Sequence, residues 1–190
     1  VPEASQAQLD ETVSAARQAL GFWRNTPVDE RQAALERFAD LLEENAEGFM
    51  ALLTREQGKP HAGAEWEVLG SVAWMRAIAT QRLPDELVEE TDERRVVTRF
   101  TPVGVVGAIV PWNFPILLAV WKIAPAMMAG CTLVLKPSPY TPLCDLKMVE
   151  LAQQAFPAGV LSAVSGGDDL GRWITSHPDI NKVAFTGSTE

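Results

Sequence analysis

Histidine is almost missing from this sequence. His61 and His177 are the two present, and neither has a Cys or His neighbour at metal-ligand spacing, so no metal site is expected. Cysteine is as scarce, with Cys131 and Cys144 alone. That makes no disulfide framework, and no signal peptide is seen, so the expected location is cytoplasmic. Cys131 lies in Ala-Gly-Cys-Thr-Leu-Val-Leu and reads as a small core residue. Basic clusters are lacking too. Lys and Arg number 16 against 25 Asp and Glu, the net charge is −9, and Arg94-Arg95 with Arg99 is the nearest to a cluster. This balance excludes nucleic acid and anionic membranes as expected partners. The longest apolar run, Ile116 to Met128, is too short for a bilayer and is interrupted by Lys122 and Pro125. No internal repeat, low-complexity segment or Gly-x-Gly-x-x-Gly occurs. The nearest pattern, Gly166-Gly167-Asp168-Asp169-Leu170-Gly171, has the wrong spacing for that fingerprint.

What is present fits a globular chain of one domain or a little more, with 47% hydrophobic and 22% charged residues. Residues 1–83 read as helical. Leu9, Val13, Ala16 and Leu20 share a helix face that Gly21 ends. Pro27 with Asp29 and Glu30 opens a second helix, where the dipole favours acids. A stripe from Leu35 to Leu53 follows, divisible at Asn45 or Gly48, and Gly58-Lys59-Pro60 stops it. A further helical stretch runs from His61 to Leu83, with Trp66, Val68, Val72 and Met75 expected in the core. Residues 92–101 resemble an exposed or edge strand.

From residue 102 the pattern changes to strands alternating with helices. Strands are expected at Val103–Val110, Thr132–Lys136, Leu161–Ser165 and Lys182–Phe185. Helices are expected at Pro115–Met128, Thr141–Gln154 and Asp169–Ser176. Short links between them imply right-handed βαβ units. The expected fold class is α/β: N-terminal helices plus an incomplete doubly wound, Rossmann-like parallel sheet.

Ligands of such sheets bind beyond the carboxyl ends of the strands. Here those ends read Val110-Pro111-Trp112-Asn113, Lys136-Pro137-Ser138-Pro139, Ser165-Gly166-Gly167-Asp168 and Phe185-Thr186-Gly187-Ser188-Thr189-Glu190. Gly and hydroxyls at a helix start bind phosphate, although Ser188 or Thr189 also suits an ordinary N-cap with Glu190 in the first turn. Lys136 is a candidate for a ribose or phosphate oxygen, or a snorkelling lysine. Asn113, held between two prolines, is a candidate amide donor to an oxyanion, or a residue that bonds its own turn.

Three stretches, Pro102 to Pro115, Gly130 to Ser138 and Phe185 to Glu190, resemble the aldehyde dehydrogenase superfamily in order and separation. Arg55-Glu56-Gln57-Gly58-Lys59-Pro60 resembles its N-terminal helical region, so the resemblance spans essentially the whole chain. It implies NAD(P)-dependent oxidation of a small-molecule aldehyde to a carboxylic acid. Asn113 then corresponds to the oxyanion-hole amide. Val110, Pro111 and Trp112 correspond to the cofactor-site wall, Phe185 is a cofactor-binding position of the last motif, and Lys136 corresponds to the adenosine-ribose ligand, with Ser138 and Pro139 in the same motif. Ser188 corresponds to the pyrophosphate contact within Thr186-Gly187-Ser188, and Gly167 and Gly171 to looser cofactor-side positions. A homo-oligomer, dimer or tetramer, is implied through the strand near 92–101.

Two departures from the family pattern follow. Relatives often carry an acid where this chain has Pro139, which has no side-chain acceptor. Weakened NAD preference and some tolerance of NADP are therefore expected. The nucleophilic cysteine and general-base glutamate of the family do not match Cys131, Cys144 or Glu190. The expectation is that the catalytic domain lies outside this sequence and that residues 1–190 alone do not oxidise aldehydes. The alternative is a truncated, non-catalytic nucleotide-binding or interaction module. Ile116, Leu117, Val120 and Trp121, on the helix after Pro115, suggest a hydrophobic or aromatic aldehyde.

Overall fold

A computed structural model describes residues 1–188 of the chain. The expected N-cap alternative Thr189 and the helix start at Glu190 lie outside the described residues. Four helices come first: α1 (Gln6–Trp23), α2 (Val28–Glu44), α3 (Ala46–Gln57) and α4 (His61–Ala79). A capping box starts α1, with Ser5 and Gln8 each accepting from the other's backbone N–H. The helix runs past Gly21 to Trp23. Asn45 separates α2 from α3, and Gly58 ends α3 in the left-handed conformation, φ 76°.

An exposed antiparallel hairpin follows, β1 (Glu86–Glu90) with β2 (Arg95–Thr98). The sequence pointed to β2 but not to β1, because the glutamates of Glu-Leu-Val-Glu-Glu are poor strand formers. Charge pairs partly offset that preference: Arg95 meets Glu90 across the strands at 3.5 Å, and Arg94 of the turn meets Glu89 at 2.6 Å.

The rest alternates as β3 (Val105–Ile109), α5 (Pro115–Met128), β4 (Thr132–Lys136), α6 (Pro142–Ala152), β5 (Leu161–Ala163), α7 (Asp168–Ser176) and β6 (Lys182–Phe185). The four strands pair in parallel in the order β5-β4-β3-β6. The chain steps from β3 to β4 to β5, then crosses back to lay β6 on the other side of β3. The order reverses between β3 and β6, and such a switch point opens a crevice at the carboxyl ends of the strands.

Alternate strand residues feed two cores. Val106, Ala108, Leu133 and Leu135 join a large cluster with α2 to α6 that includes Phe38, Phe49, Ile123 and Met127. Val105 and Val134 join a smaller cluster with Leu9, Val13, Leu170 and Ile174 of α1 and α7. Each fully buried side chain of this size contributes about 1.5–3 kcal/mol. Gly107 faces the smaller core, where a Cβ would lie 2.6 Å from the Ile174 side chain. The missing side chain lets α7 approach the sheet centre.

Two expectations about packing are corrected. Trp66 is 62% exposed and so outside the core, whereas Val68, Val72 and Met75 are buried as expected. Trp66 and Trp74 lie on the helix line that turns away from the core, and each meets another surface ring: Phe114 at 6.0 Å and Trp121 at 5.4 Å between centroids. On α5, Ile116, Leu117 and Val120 pack into the protein within this chain, and Trp121 is exposed. The apolar residues of α5 extend around most of the helix, so sequence alone did not show which of them meet the core.

Candidate functional site

The segment Val110 to Phe114 turns the chain from β3 into α5. Val110 is buried and its N–H donates to the Lys136 carbonyl at 3.2 Å, joining the ends of β3 and β4. Pro111 begins the turn, and Trp112 and Asn113 are exposed at its tip. The turn is held through its backbone. Gln57 Nε2 donates to the carbonyls of Trp112 at 2.6 Å and Asn113 at 2.8 Å. Lys59 Nζ donates to the Asn113 carbonyl at 2.9 Å and lies 4.0 Å from the centre of the Phe114 ring. Among the described residues none hydrogen-bonds the Asn113 side-chain amide. The backbone is thus fixed while the side-chain amide stays available to donate.

The helices leaving this edge have no side-chain cap of their own. Phe114 and Thr141 stand at the N-caps of α5 and α6, each followed by Pro at the first helical position. Acids from the N-terminal helices supply the missing acceptors. Glu67 Oε1 takes the N–H groups of Ile116 and Leu117, and the Glu56 carboxylate takes those of Leu143 and Cys144. Glu67 is fully buried and is also ion-paired with Lys59. Burial still raises its pKa, against the Lys59 charge and the two amides. The sequence marks Gly58 to Pro60 as a helix stop and Arg55 to Pro60 as a resemblance, but gives no role to Glu56, Gln57 or Glu67. The usable signal was two Pro-started helices without caps.

Lys136 ends β4 on the α1 and α7 side and is buried, with a long hydrogen bond to the Pro137 carbonyl at 3.4 Å. Burial lowers its pKa, while Asp168 and Glu3 draw it back up. Ser138 is buried and shapes the next turn: its hydroxyl accepts from Tyr140 N–H and its carbonyl from Thr141 N–H. Pro139 is exposed. Gly167 is the N-cap of α7, and its carbonyl accepts from Gly171 N–H at 3.3 Å.

On the far side of β3, Phe185 is exposed and Thr186 N–H donates to the Ile109 carbonyl at 3.1 Å. Lys122 Nζ of α5 donates to Thr186 Oγ1 at 2.6 Å, and burial lowers the Lys122 pKa. The sequence showed Lys122 only as a break in an apolar run. Gly187 and Ser188 continue from this end.

The parallel order thus places Val110 to Asn113, Lys136 to Pro139, Gly167 with Gly171, and Phe185 to Ser188 along one sheet edge. Neither cysteine belongs to it. Cys131 and Cys144 are buried, and burial with the neighbouring Glu56 raises the Cys144 pKa far enough to keep it a thiol. Among the described residues there is no cluster that could hold a metal ion, and no helix is long and apolar enough to cross a membrane.

A parallel sheet with a switch point, an exposed amide at one strand end and a buried lysine at the next define an α/β domain of the doubly wound class. The aldehyde dehydrogenase family model matches residues 1–190, and the chain belongs to that family. It is 44% identical to an aldehyde dehydrogenase of Fusarium sp, over 100% of this chain and 40% of the relative. An NAD+ complex of aldehyde dehydrogenase from Bacillus cereus matches with a TM-score of 0.94 and 39% identity, over 98% of this chain and 40% of that one. The glyceraldehyde-3-phosphate dehydrogenase GapN of Methanocaldococcus jannaschii, complexed with NADP, matches with a TM-score of 0.94 and 31% identity, over 99% and 43%. The chain thus spans about 40% of the length of the relatives it matches.

Proposed function

We propose that the complete protein oxidises an aldehyde to a carboxylic acid with NAD or NADP, and that this chain supplies the cofactor edge and the amide of Asn113. The carrying observation is the Asn113 corner, whose carbonyl is fixed by Gln57 and Lys59 while its side-chain amide has no partner among the described residues. The bound nicotinamide supplies the hydride acceptor. Asn113 donates to the substrate oxygen as negative charge grows there, from a backbone that Gln57 and Lys59 already hold. Trp112 walls the cofactor, and Lys136 bonds its adenosine ribose. Thr186 to Ser188 face its phosphates, with Lys122 ordering that segment through Thr186. The nucleophile and general base come from residues outside this chain, consistent with the buried, neutral Cys144.

Exposed Phe114 and Trp121, beside Trp66 and Trp74, support an apolar or aromatic aldehyde. The protein works in the cytoplasm as a homo-oligomer, dimer or tetramer, built through the β1–β2 hairpin. The test is aldehyde-dependent NAD(P)H formation by the complete polypeptide. Asn113→Ala should lower kcat by about 10²–10³ with nucleotide affinity unchanged. Tight nucleotide binding without turnover of any aldehyde would instead mark a non-catalytic binding module.

A further inference from the structure

Lys136 is not the only charge at its strand end. Its Cε lies against α7, 3.8 Å from where a Cβ on Gly171 would stand. Asp168, the first residue of α7, and Glu3 both act on its ammonium. Glu3 belongs to the short stretch before α1, and that stretch is anchored. Ala4 N–H donates to the Ser165 carbonyl at 2.7 Å, and Ser165 Oγ donates to the Pro2 carbonyl at 2.7 Å. Ser5 then caps α1. Glu3 Oε1 consequently lies 3.4 Å from the position of a Cβ on Gly167. Gly167 and Gly171 are about one helical turn apart, so the Glu3 carboxylate and the end of the Lys136 stem both stand at the first turn of α7.

We propose that Glu3, with Asp168, supplies the ribose acceptor that Pro139 lacks and makes this site prefer NAD over NADP. The inference rests on the cofactor reading above. A carboxylate beside Lys136 accepts from the ribose hydroxyls, as an acid does in other dinucleotide sites. A 2′-phosphate brings about two more negative charges. It would meet two carboxylates and a single lysine, and like charges brought together at a binding surface suppress the wrong ligand. This reverses what Pro139 alone implies.

The test is isothermal titration of the complete natural polypeptide with NAD, NADP, ADP-ribose and 2′-phospho-ADP-ribose. The proteins are wild type, Glu3→Gln, Asp168→Asn, the double variant, and Glu11→Gln as an exposed control on α1. Wild type should bind NAD more tightly. Glu3→Gln should narrow the NAD to NADP ratio by about three- to fivefold, the double variant further, and the control not at all. The two ADP-ribose ligands should show the same narrowing, which assigns it to the adenosine half. An unchanged ratio in Glu3→Gln and the double variant, a wild type without preference, or an effect absent from the ADP-ribose pair would each overturn the proposal. Because Glu3 lies outside every helix and strand, its variant tests the idea even if Asp168→Asn misfolds. A wild type that binds no nucleotide would overturn the cofactor reading, and this inference with it.

Discussion

Glu67 of α4 accepts the backbone N–H of Ile116 at 3.0 Å, so a residue of the N-terminal helices caps the helix that follows the Asn113 corner. The same carboxylate neutralises Lys59, which holds the Asn113 carbonyl. Glu67→Ala should therefore destabilise the protein by about 3–5 kcal/mol, because a part-buried lysine and two buried helix amides lose their partner. Chemical denaturation measures this. Glu67→Gln keeps an acceptor and should cost less.

Gln57 acts on the corner through two carbonyls and not through the amide itself. Gln57→Ala should loosen the donor without removing it. A displacement near 1 Å costs about 10²-fold in rate, so kcat should fall by about 10- to 100-fold while KM for the nucleotide holds. Equal losses from Gln57→Ala and from a random exposed substitution would show that the corner needs no such support.

Asp145 is fully buried in the first turn of α6, and both its oxygens lack a partner among the described residues. Burial raises its pKa well above the ordinary aspartate range, and Glu67 and Glu56 add to the effect. The folded protein therefore keeps a proton that the unfolded chain releases. Stability from this group is complete below the ordinary aspartate pKa and is lost as pH rises from there through the folded value. Asp145→Leu should stabilise the protein near neutral pH by about 1–3 kcal/mol, the cost of an unsatisfied buried polar group, and should flatten the pH profile. Melting temperatures between pH 4 and 8, at steps of about one unit, decide it.

Gly104 has φ 124°, and a Cβ there would lie 2.1 Å from Asn181 Oδ1. That oxygen accepts Val105 N–H at 2.9 Å and so fixes the start of β3. Gly104→Ala should cost at least about 1–3 kcal/mol. Adding Asn181→Ala relieves the clash but not the backbone, so the double variant should stay destabilised in urea melts.

Much of the βα half was legible in sequence. β4, β6 and α5 have the expected limits, because β-branched runs and Pro at a helix start are local signals. The four strand ends also meet on one edge, which parallel order alone requires. What sequence hid were contacts between distant segments. Glu67 and Gln57 looked like surface polar residues on helices. Trp66 looked like core, because helical spacing does not say which side of α4 meets the protein. The glutamates of β1 concealed a strand that pairs with β2 and sets Glu90 opposite Arg95.

A polypeptide cut to residues 1–190 leaves β6 at the sheet edge, with Phe185 59% and Val183 36% exposed. It should self-associate and bind apolar dyes. A monomer by light scattering with no dye signal would contradict this.

The caps from Glu56 and Glu67 reach 87 and 49 residues forward, to Leu143 and Ile116. During synthesis these acids leave the ribosome before the helices they will close exist. The Asn113 corner can take its working shape only after those long-range contacts form, and contacts at such separation are slow to close. The turn between β3 and α5 is then among the last parts of this chain to mature, because the helices that hold it must dock first.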